Sequence, residues 1–193
     1  MFDVVPSISI NDTTLRDGEQ TPRVAFTLDE KTAIAEALAV ACVDEIEAGT
    51  PAMCDAEVAA VVATAPNARV AAWSRMTETD VAAALRARVR YINLSVSVSD
   101  RQIAAKYWGG PQKALDRIAR VMPLALDAGL VVSVGGEDSS RADDSFLARV
   151  LDAIATAGSY RFRFADALGV RSPTMPSSSF RGRMVPRLDP PFI

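Results

Sequence analysis

Short apolar segments alternate along the chain with longer segments whose apolar residues recur every three or four positions. The short segments are typical of buried strands, and the periodic ones of helices with one buried face. The pattern predicts six strands, at residues 8–10, 45–48, 69–73, 91–96, 130–134 and 161–165. Strand and helix alternate roughly every 30 residues, which is the rhythm of a parallel sheet covered by helices.

The first helix has both a start signal and a predicted buried face. Thr27 and Glu30 have the spacing of a capping box, so the helix should begin there. Its predicted buried stripe contains Ile34, Ala37, Leu38, Ala41 and Cys42. Farther along, Pro123 lies in a long helical segment, which we expect it to kink or divide.

A doubly wound sheet and a barrel both fit this alternation. Polar clusters follow the first, fifth and sixth strands, and barrel enzymes build their sites at the carboxyl ends of their strands. We therefore predict a partial (β/α)8 TIM barrel of about six βα units in residues 1–170. Residues 171–193 have four prolines among the last 18 residues and no periodic pattern, which predicts an irregular tail. We hypothesise that a frameshift or premature stop interrupts the barrel there.

The composition narrows the classes of partner. The formal net charge is −3 and the pI is near 5.1, so no basic excess predicts a nucleic acid or an anionic membrane surface as partner. The chain has neither a positively charged leader nor an apolar run of about 18 residues. We expect a cytoplasmic protein with two reduced cysteines. Its 193 residues contain no histidine, which excludes imidazole chemistry and imidazole metal ligands within this chain.

Three polar motifs carry candidate chemistry. DTTLRDGEQ, at residues 12–20, puts a guanidinium and a carboxylate side by side after a strand, where they can hold a divalent metal and an anionic substrate together. GGEDSSRAD, at residues 135–143, follows the fifth strand and suits either a helix cap or a site. RFRFADALG, at residues 161–169, alternates like a half-buried strand, so we expect its first four residues to be architectural and Asp166 to face the site.

Together these motifs resemble the homocitrate synthases of nitrogen fixation, within the family of 2-oxoacid-condensing barrel enzymes. The resemblance covers residues 8 to about 170, and isopropylmalate synthase is the nearest alternative. It implies a divalent metal, Mg²⁺ or Mn²⁺, and condensation of acetyl-CoA with 2-oxoglutarate and water. The product, homocitrate, is the organic ligand of the nitrogenase iron-molybdenum cofactor. The resemblance also implies a homodimer.

The resemblance implies roles for five residues. Asp17 is the implied metal ligand. Arg16 is implied to bind the carbonyl oxygen of the 2-oxo acid and to stabilise the charge that develops on it. Glu137 is implied to complete an Arg-Asp-Glu set and to orient the acetyl nucleophile and its proton transfers. Gln20 and Ser139 are implied to contact the substrate.

Two family features are missing from this sequence. The family has an HxH pair of metal ligands on a later strand, and it commonly has threonine where this chain has Ala167. We therefore expect weak metal binding and negligible synthase activity in the isolated chain. The alternative is a fragment without catalysis that self-associates, or that pairs with a complementary chain through open sheet edges.

Overall fold

The computed structural model describes residues 8–166 and 168–169, and within them six parallel strands form one sheet. Each of the first five strands is followed by at least one helix. The strands are β1 (Asn11–Asp12), β2 (Glu45–Glu47), β3 (Arg69–Arg75), β4 (Tyr91–Ser97), β5 (Val131–Glu137) and β6 (Arg161–Phe164).

Six α-helices in the described residues cover the sheet, and several begin at a side chain that caps the first turn. Thr27, Thr77, Ser99 and Asp143 each accept a hydrogen bond from a backbone N–H of the helix that follows. The helices are α1 (Leu28–Val40), α2 (Asp55–Thr64), α3 (Glu78–Arg86), α4 (Asp100–Lys106), α5 (Gln112–Asp127) and α6 (Asp144–Ala157). In the described part of the chain, none of them has both the length and the apolar composition needed to cross a membrane.

The order of the strands distinguishes a barrel from a doubly wound sheet. Spatial order follows chain order from β1 to β6, and every neighbouring pair is parallel. A doubly wound sheet reverses its strand order at one point, whereas a barrel adds each strand on the same side. The prediction of a partial barrel with six strands is confirmed.

Ion pairs across the interior show how far the sheet curls. Glu45 and Glu47 on β2 contact Arg161 and Arg163 on β6, each pair with an N–O distance of 2.5 Å. These strands are four places apart in the sheet, so their side chains meet only because the sheet wraps around a common interior. The helix-facing side of the sheet is apolar by contrast, and Ile92, Leu94 and Val96 on β4 belong to the hydrophobic core.

The first strand and first helix differ from the prediction. The strand was predicted at residues 8–10, but Ile8 and Ile10 are exposed and pairing with β2 begins only where Asn11 lies opposite Glu45. The prediction that Cys42 lies on a buried helical face was wrong. Helix α1 ends at Val40, and Cys42 is exposed with a left-handed backbone (φ 57°).

Two other expectations concern the later part of the chain. Pro123 does not divide its helix, because α5 continues past it to Asp127 with Met122 and Ala125 buried on either side. The tail predicted at residues 171–193 lies outside the described residues, as does Ala167.

Candidate active site

A cleft of about 480 Å³ lies at the carboxyl ends of the strands. The turn after β1, the ends of β3 to β6 and helix α4 all contribute side chains to it. Its polar lining includes Arg16, Asp17, Asn93, Ser95, Lys106, Glu137, Arg163 and Asp166. Charged groups of both signs thus surround a space large enough for a small carboxylic acid.

A tight turn after β1 presents Arg16 to this cleft. The carbonyl oxygen of Thr13 accepts hydrogen bonds from three successive amides, at 2.8–3.1 Å, and Leu15 is fully buried beneath the turn. The Arg16 guanidinium donates from Nε to Glu47 Oε2 (2.8 Å) and from Nη1 to Asp17 Oδ1 (2.9 Å). The backbone and two carboxylates therefore fix the direction of this guanidinium.

Glu47 is the residue that the sequence analysis missed. It lies on β2 with no exposed side-chain surface, and its second oxygen accepts a hydrogen bond from Arg163. A buried carboxylate needs such partners, because an unpaired charge in the interior is strongly disfavoured. The signal in the sequence was the alternation of Glu45, Ile46 and Glu47 within a short predicted strand, because buried acidic residues in a strand require partners.

Glu137, at the end of β5, is held by three donors. Ser95 Oγ donates to Oε1 and Ser97 Oγ to Oε2, both at 2.9 Å, and Lys106 on α4 forms an ion pair with Oε2. Burial by itself raises the pKa of Glu137, but the hydrogen bonds from Lys106 and the serines outweigh burial, so the pKa is lowered. The carboxylate is therefore ionised at neutral pH and can accept a proton.

Two glycines let β5 approach its neighbours beside this carboxylate. A methyl group on Gly136 would lie 2.5 Å from Phe162 Cζ and 2.6 Å from Ser139 Oγ, distances that no packed atoms tolerate. A methyl group on Gly135 would lie 3.1 Å from the amide nitrogen of Asn93. Side chains at either position would push β5 away from the polar groups that hold Glu137.

The predicted site residues do not all lie in this cleft. Arg16, Asp17 and Glu137 line it, whereas Gln20 is exposed and lines a second cavity of about 430 Å³ beside Lys31. Ser139 is buried, and its hydroxyl donates to the carbonyl oxygen of Gly136 at 2.7 Å. The structure thus brings together the three residues with implied catalytic or metal roles. Gln20 lies in a neighbouring cavity that Arg16 also lines, and Ser139 lines neither.

Trp73, Asn93 and Ser95 also line the cleft. The Arg16 guanidinium lies over the Trp73 ring, 5.8 Å from its centroid, which is within the range of a cation–π contact. Asn93 accepts a hydrogen bond from Ser133 at its side-chain oxygen, at 3.1 Å. These residues form the floor between Arg16 and Glu137.

The carboxylates of the cleft are poorly suited to a complete metal site. Asp17 is solvent-exposed, but Glu47 is bonded to two arginines, and Glu137 to Lys106 and two serines. Among the residues described, no group of three histidine, cysteine, aspartate or glutamate side chains could hold a metal ion. Divalent ions such as Mg²⁺ need several oxygen ligands in near-ideal geometry, so these residues alone do not fit one.

Comparisons with known proteins agree with the motifs. The model of the HMGL-like family matches residues 7–185. Homocitrate synthase 1 of Nostoc sp. is 44% identical over 169 residues, covering 86% of this chain and 45% of the relative. Homocitrate synthase subunit alpha of Clostridium pasteurianum is 37% identical over 169 residues, covering 86% of this chain and 63% of the relative. The chain therefore spans about half the length of these relatives.

A solved structure supports the architecture independently. The HMG-CoA lyase of Bacillus subtilis superposes with a TM-score of 0.75 at 17% identity, covering 89% of this chain and 62% of that one. At this identity the similarity shows a shared fold. Because the family model matches most of its length, residues 7–185, the chain belongs to the HMGL-like family.

Proposed function

We propose that the chain provides the 2-oxo-acid-binding part of a homocitrate synthase-like acyltransferase. The observation that carries this proposal is the placement of Arg16, Asp17 and Glu137 around one cleft, although Arg16 and Glu137 are 121 positions apart. The proposed reaction condenses acetyl-CoA, 2-oxoglutarate and water into homocitrate and CoA. Its proposed destination is the iron-molybdenum cofactor of nitrogenase, as the resemblance implies.

Arg16 has the geometry of an electrostatic catalyst. When the methyl carbon of the acetyl group bonds to the carbonyl carbon of the 2-oxo acid, the carbonyl oxygen gains negative charge. Arg16 is already directed by Glu47 and Asp17, so its remaining N–H groups meet that charge without reorganisation. Preorganised donors of this kind contribute about 3–4 kcal/mol of transition-state stabilisation each.

Glu137 is the proposed acceptor of the proton that leaves the acetyl methyl group. Its lowered pKa keeps it ionised, which is the form that accepts a proton. The same ion pair with Lys106 weakens its basicity, so a shift of the half-exposed Lys106 away from Oε2 would strengthen the base. The alkoxide formed at the former 2-oxo oxygen takes up one proton, which balances the proton lost to Glu137, and becomes the hydroxyl of the product. Hydrolysis of the remaining thioester by water then releases CoA and a carboxylate.

We propose that the 193-residue chain does not complete this reaction alone. It has no histidine, whereas the resemblance places two histidine metal ligands on a later strand. One relative is itself named as a subunit, homocitrate synthase subunit alpha, which supports a site completed by a second polypeptide. Those ligands would come from the remaining part of the barrel.

A CoA-release assay tests the proposal. The chain is incubated with acetyl-CoA, 2-oxoglutarate and Mg²⁺ or Mn²⁺, alone and with a polypeptide that supplies the later strands of a homocitrate synthase. We expect release only from the mixture, and loss of release with Arg16→Gln. Release that depends on 2-oxoglutarate from the chain alone would show that no partner is needed. Equal release with 2-oxoisovalerate would favour the isopropylmalate synthase alternative, and no release from a folded, stable complex would refute the enzymatic proposal.

A further inference from the structure

Arg163 is a second guanidinium in the cleft, and the proposed chemistry does not use it. It lies on β6 and donates from Nη1 to Glu47 Oε1 at 2.5 Å, with a quarter of its side-chain surface exposed. The contact described for its guanidinium is this ion pair with Glu47. A guanidinium presents a planar fork of N–H donors, so most of the donors of Arg163 remain available to a ligand.

Glu47 holds Arg163 and Arg16 at one place. Each oxygen of the Glu47 carboxylate accepts a hydrogen bond from one of the two guanidiniums. Because Glu47 is fully buried below the cleft, it holds both arginines in place. Glu47 is thus shared by both guanidiniums, and Arg16 has a second carboxylate partner in Asp17. The third cation of the lining, Lys106, is instead neutralised by Glu137.

We infer that Arg163 is a specificity-determining residue that binds the second carboxylate of a dicarboxylic 2-oxo acid. Arg16 faces the 2-oxo end, and Arg163 offers a separate fork to the other carboxylate, the geometry that guanidinium recognises best. A 2-oxo acid with an apolar side chain would leave this fork without a partner and is therefore bound less well. This inference rests on the proposed function, since it assigns the substrate class of the same cleft.

Fluorescence of Trp73 reports on ligands in this cleft. The chain contains two tryptophans, and Trp108 is 96% exposed, so Trp108→Phe leaves Trp73 as the single reporter without disturbing packing. This variant is titrated with 2-oxoglutarate and, separately, with 2-oxobutyrate, each with and without Mg²⁺. The second probe is a 2-oxo acid with one carboxylate only.

Arg163→Gln is compared with Arg161→Gln as a matched control. Arg161 lies on the same strand and points to the same interior, where it contacts the buried Glu45 at 2.5 Å, but it does not line the cleft. We expect Arg163→Gln to weaken 2-oxoglutarate binding by about tenfold or more, the effect of losing a charged hydrogen bond. Binding of 2-oxobutyrate should stay the same, and Arg161→Gln should change neither affinity.

The other outcomes separate the two proposals. Equal weakening of both ligands by Arg163→Gln would mean that Arg163 acts only by holding Glu47 and Arg16, and would overturn the inference. Unchanged 2-oxoglutarate binding would also overturn it, leaving the proposed function intact. If neither 2-oxo acid binds the folded parent chain, the proposed function fails together with the inference.

A conservative variant keeps the test decisive if Arg163→Gln does not fold. Arg163→Lys retains a positive charge beside Glu47 but loses the planar fork. Circular dichroism would establish that it folds, and 2-oxoglutarate should bind it about threefold or more weakly, with 2-oxobutyrate unaffected. Full retention of the preference for 2-oxoglutarate in this folded variant would refute a role for the guanidinium.

Discussion

Replacing Glu47 by glutamine tests whether the buried carboxylate holds the curled sheet and its arginines together. The substitution keeps the shape of the side chain and removes its charge. A glutamine can still accept a hydrogen bond from Arg16 through its oxygen. Its NH₂ group, however, would then face the N–H of Arg163 at the 2.5 Å contact, where two donors repel each other.

The expected cost follows from burial and the number of partners. Removing one partner of a buried ion pair lowers the free energy of unfolding by about 3–5 kcal/mol, because the charge of the other partner stays buried without compensation. The side chains of Arg16 and Arg163 are 15% and 25% exposed, so water solvates part of the charge that remains. We therefore expect a loss of about 3 kcal/mol in the free energy of unfolding, the lower end of that range.

Urea unfolding followed by far-ultraviolet circular dichroism measures this loss. With a slope of about 1–3 kcal/mol per molar urea, the midpoint should fall by about 1 M or more. Glu78→Gln is the matched control, because its ion pair with Arg120 (3.1 Å) joins two side chains that are more than half exposed. Such a surface pair contributes about 1 kcal/mol or less.

A small effect at Glu47 would refute the reasoning. If Glu47→Gln unfolds within about 0.5 kcal/mol of the parent chain, the range of ordinary surface substitutions, the pairs between β2 and β6 do not hold the interior together. An equal loss in Glu78→Gln would show that the assay reports general charge effects instead.

Two further changes test the surroundings of Glu137. The lowered pKa of Glu137 stabilises the fold above its unfolded value of about 4.5, and this contribution disappears as the pH falls through the folded pKa. Lys106→Met removes one cause of the lowered pKa of Glu137. The urea midpoint of this variant should therefore be lower than that of the parent at pH near 7, and should change less than that of the parent as the pH falls. An unchanged pH dependence of the midpoint would contradict this. Gly136→Ala places a methyl group 2.5 Å from the Phe162 ring and should lower the unfolding free energy by about 1–3 kcal/mol, whereas Gly18→Ala, with its nearest atom at 3.7 Å, should cost less. Equal losses in the two alanine variants would rule out crowding as the cause.

Local patterns predicted the architecture because the buried faces of strands and helices require apolar residues at regular spacings in the sequence. The strands predicted at 69–73, 91–96 and 130–134 coincide with the largely buried β3, β4 and β5. Errors arose where local pattern and tertiary contact disagree. Near the amino terminus, Ile8 and Ile10 have the pattern of a buried strand, but both are exposed in the structure.

The partners within the site could not be predicted in the same way. Glu47 meets Arg163 across 116 positions of sequence, and Lys106 meets Glu137 across 31. No local periodicity encodes such pairs, because they depend on how the sheet curls and on the direction of α4. Arg163 was expected to be architectural for this reason, since on its own strand it simply alternates with phenylalanine.

The most direct test of the central claim is a crystal structure of the chain with bound 2-oxoglutarate. The account predicts ligand density between Arg16 and Glu137, with a 2-oxo-acid oxygen about 3 Å from the Arg16 guanidinium. Ligand bound on another face of the molecule, or Arg16 and Glu137 turned away from a common cleft, would contradict it.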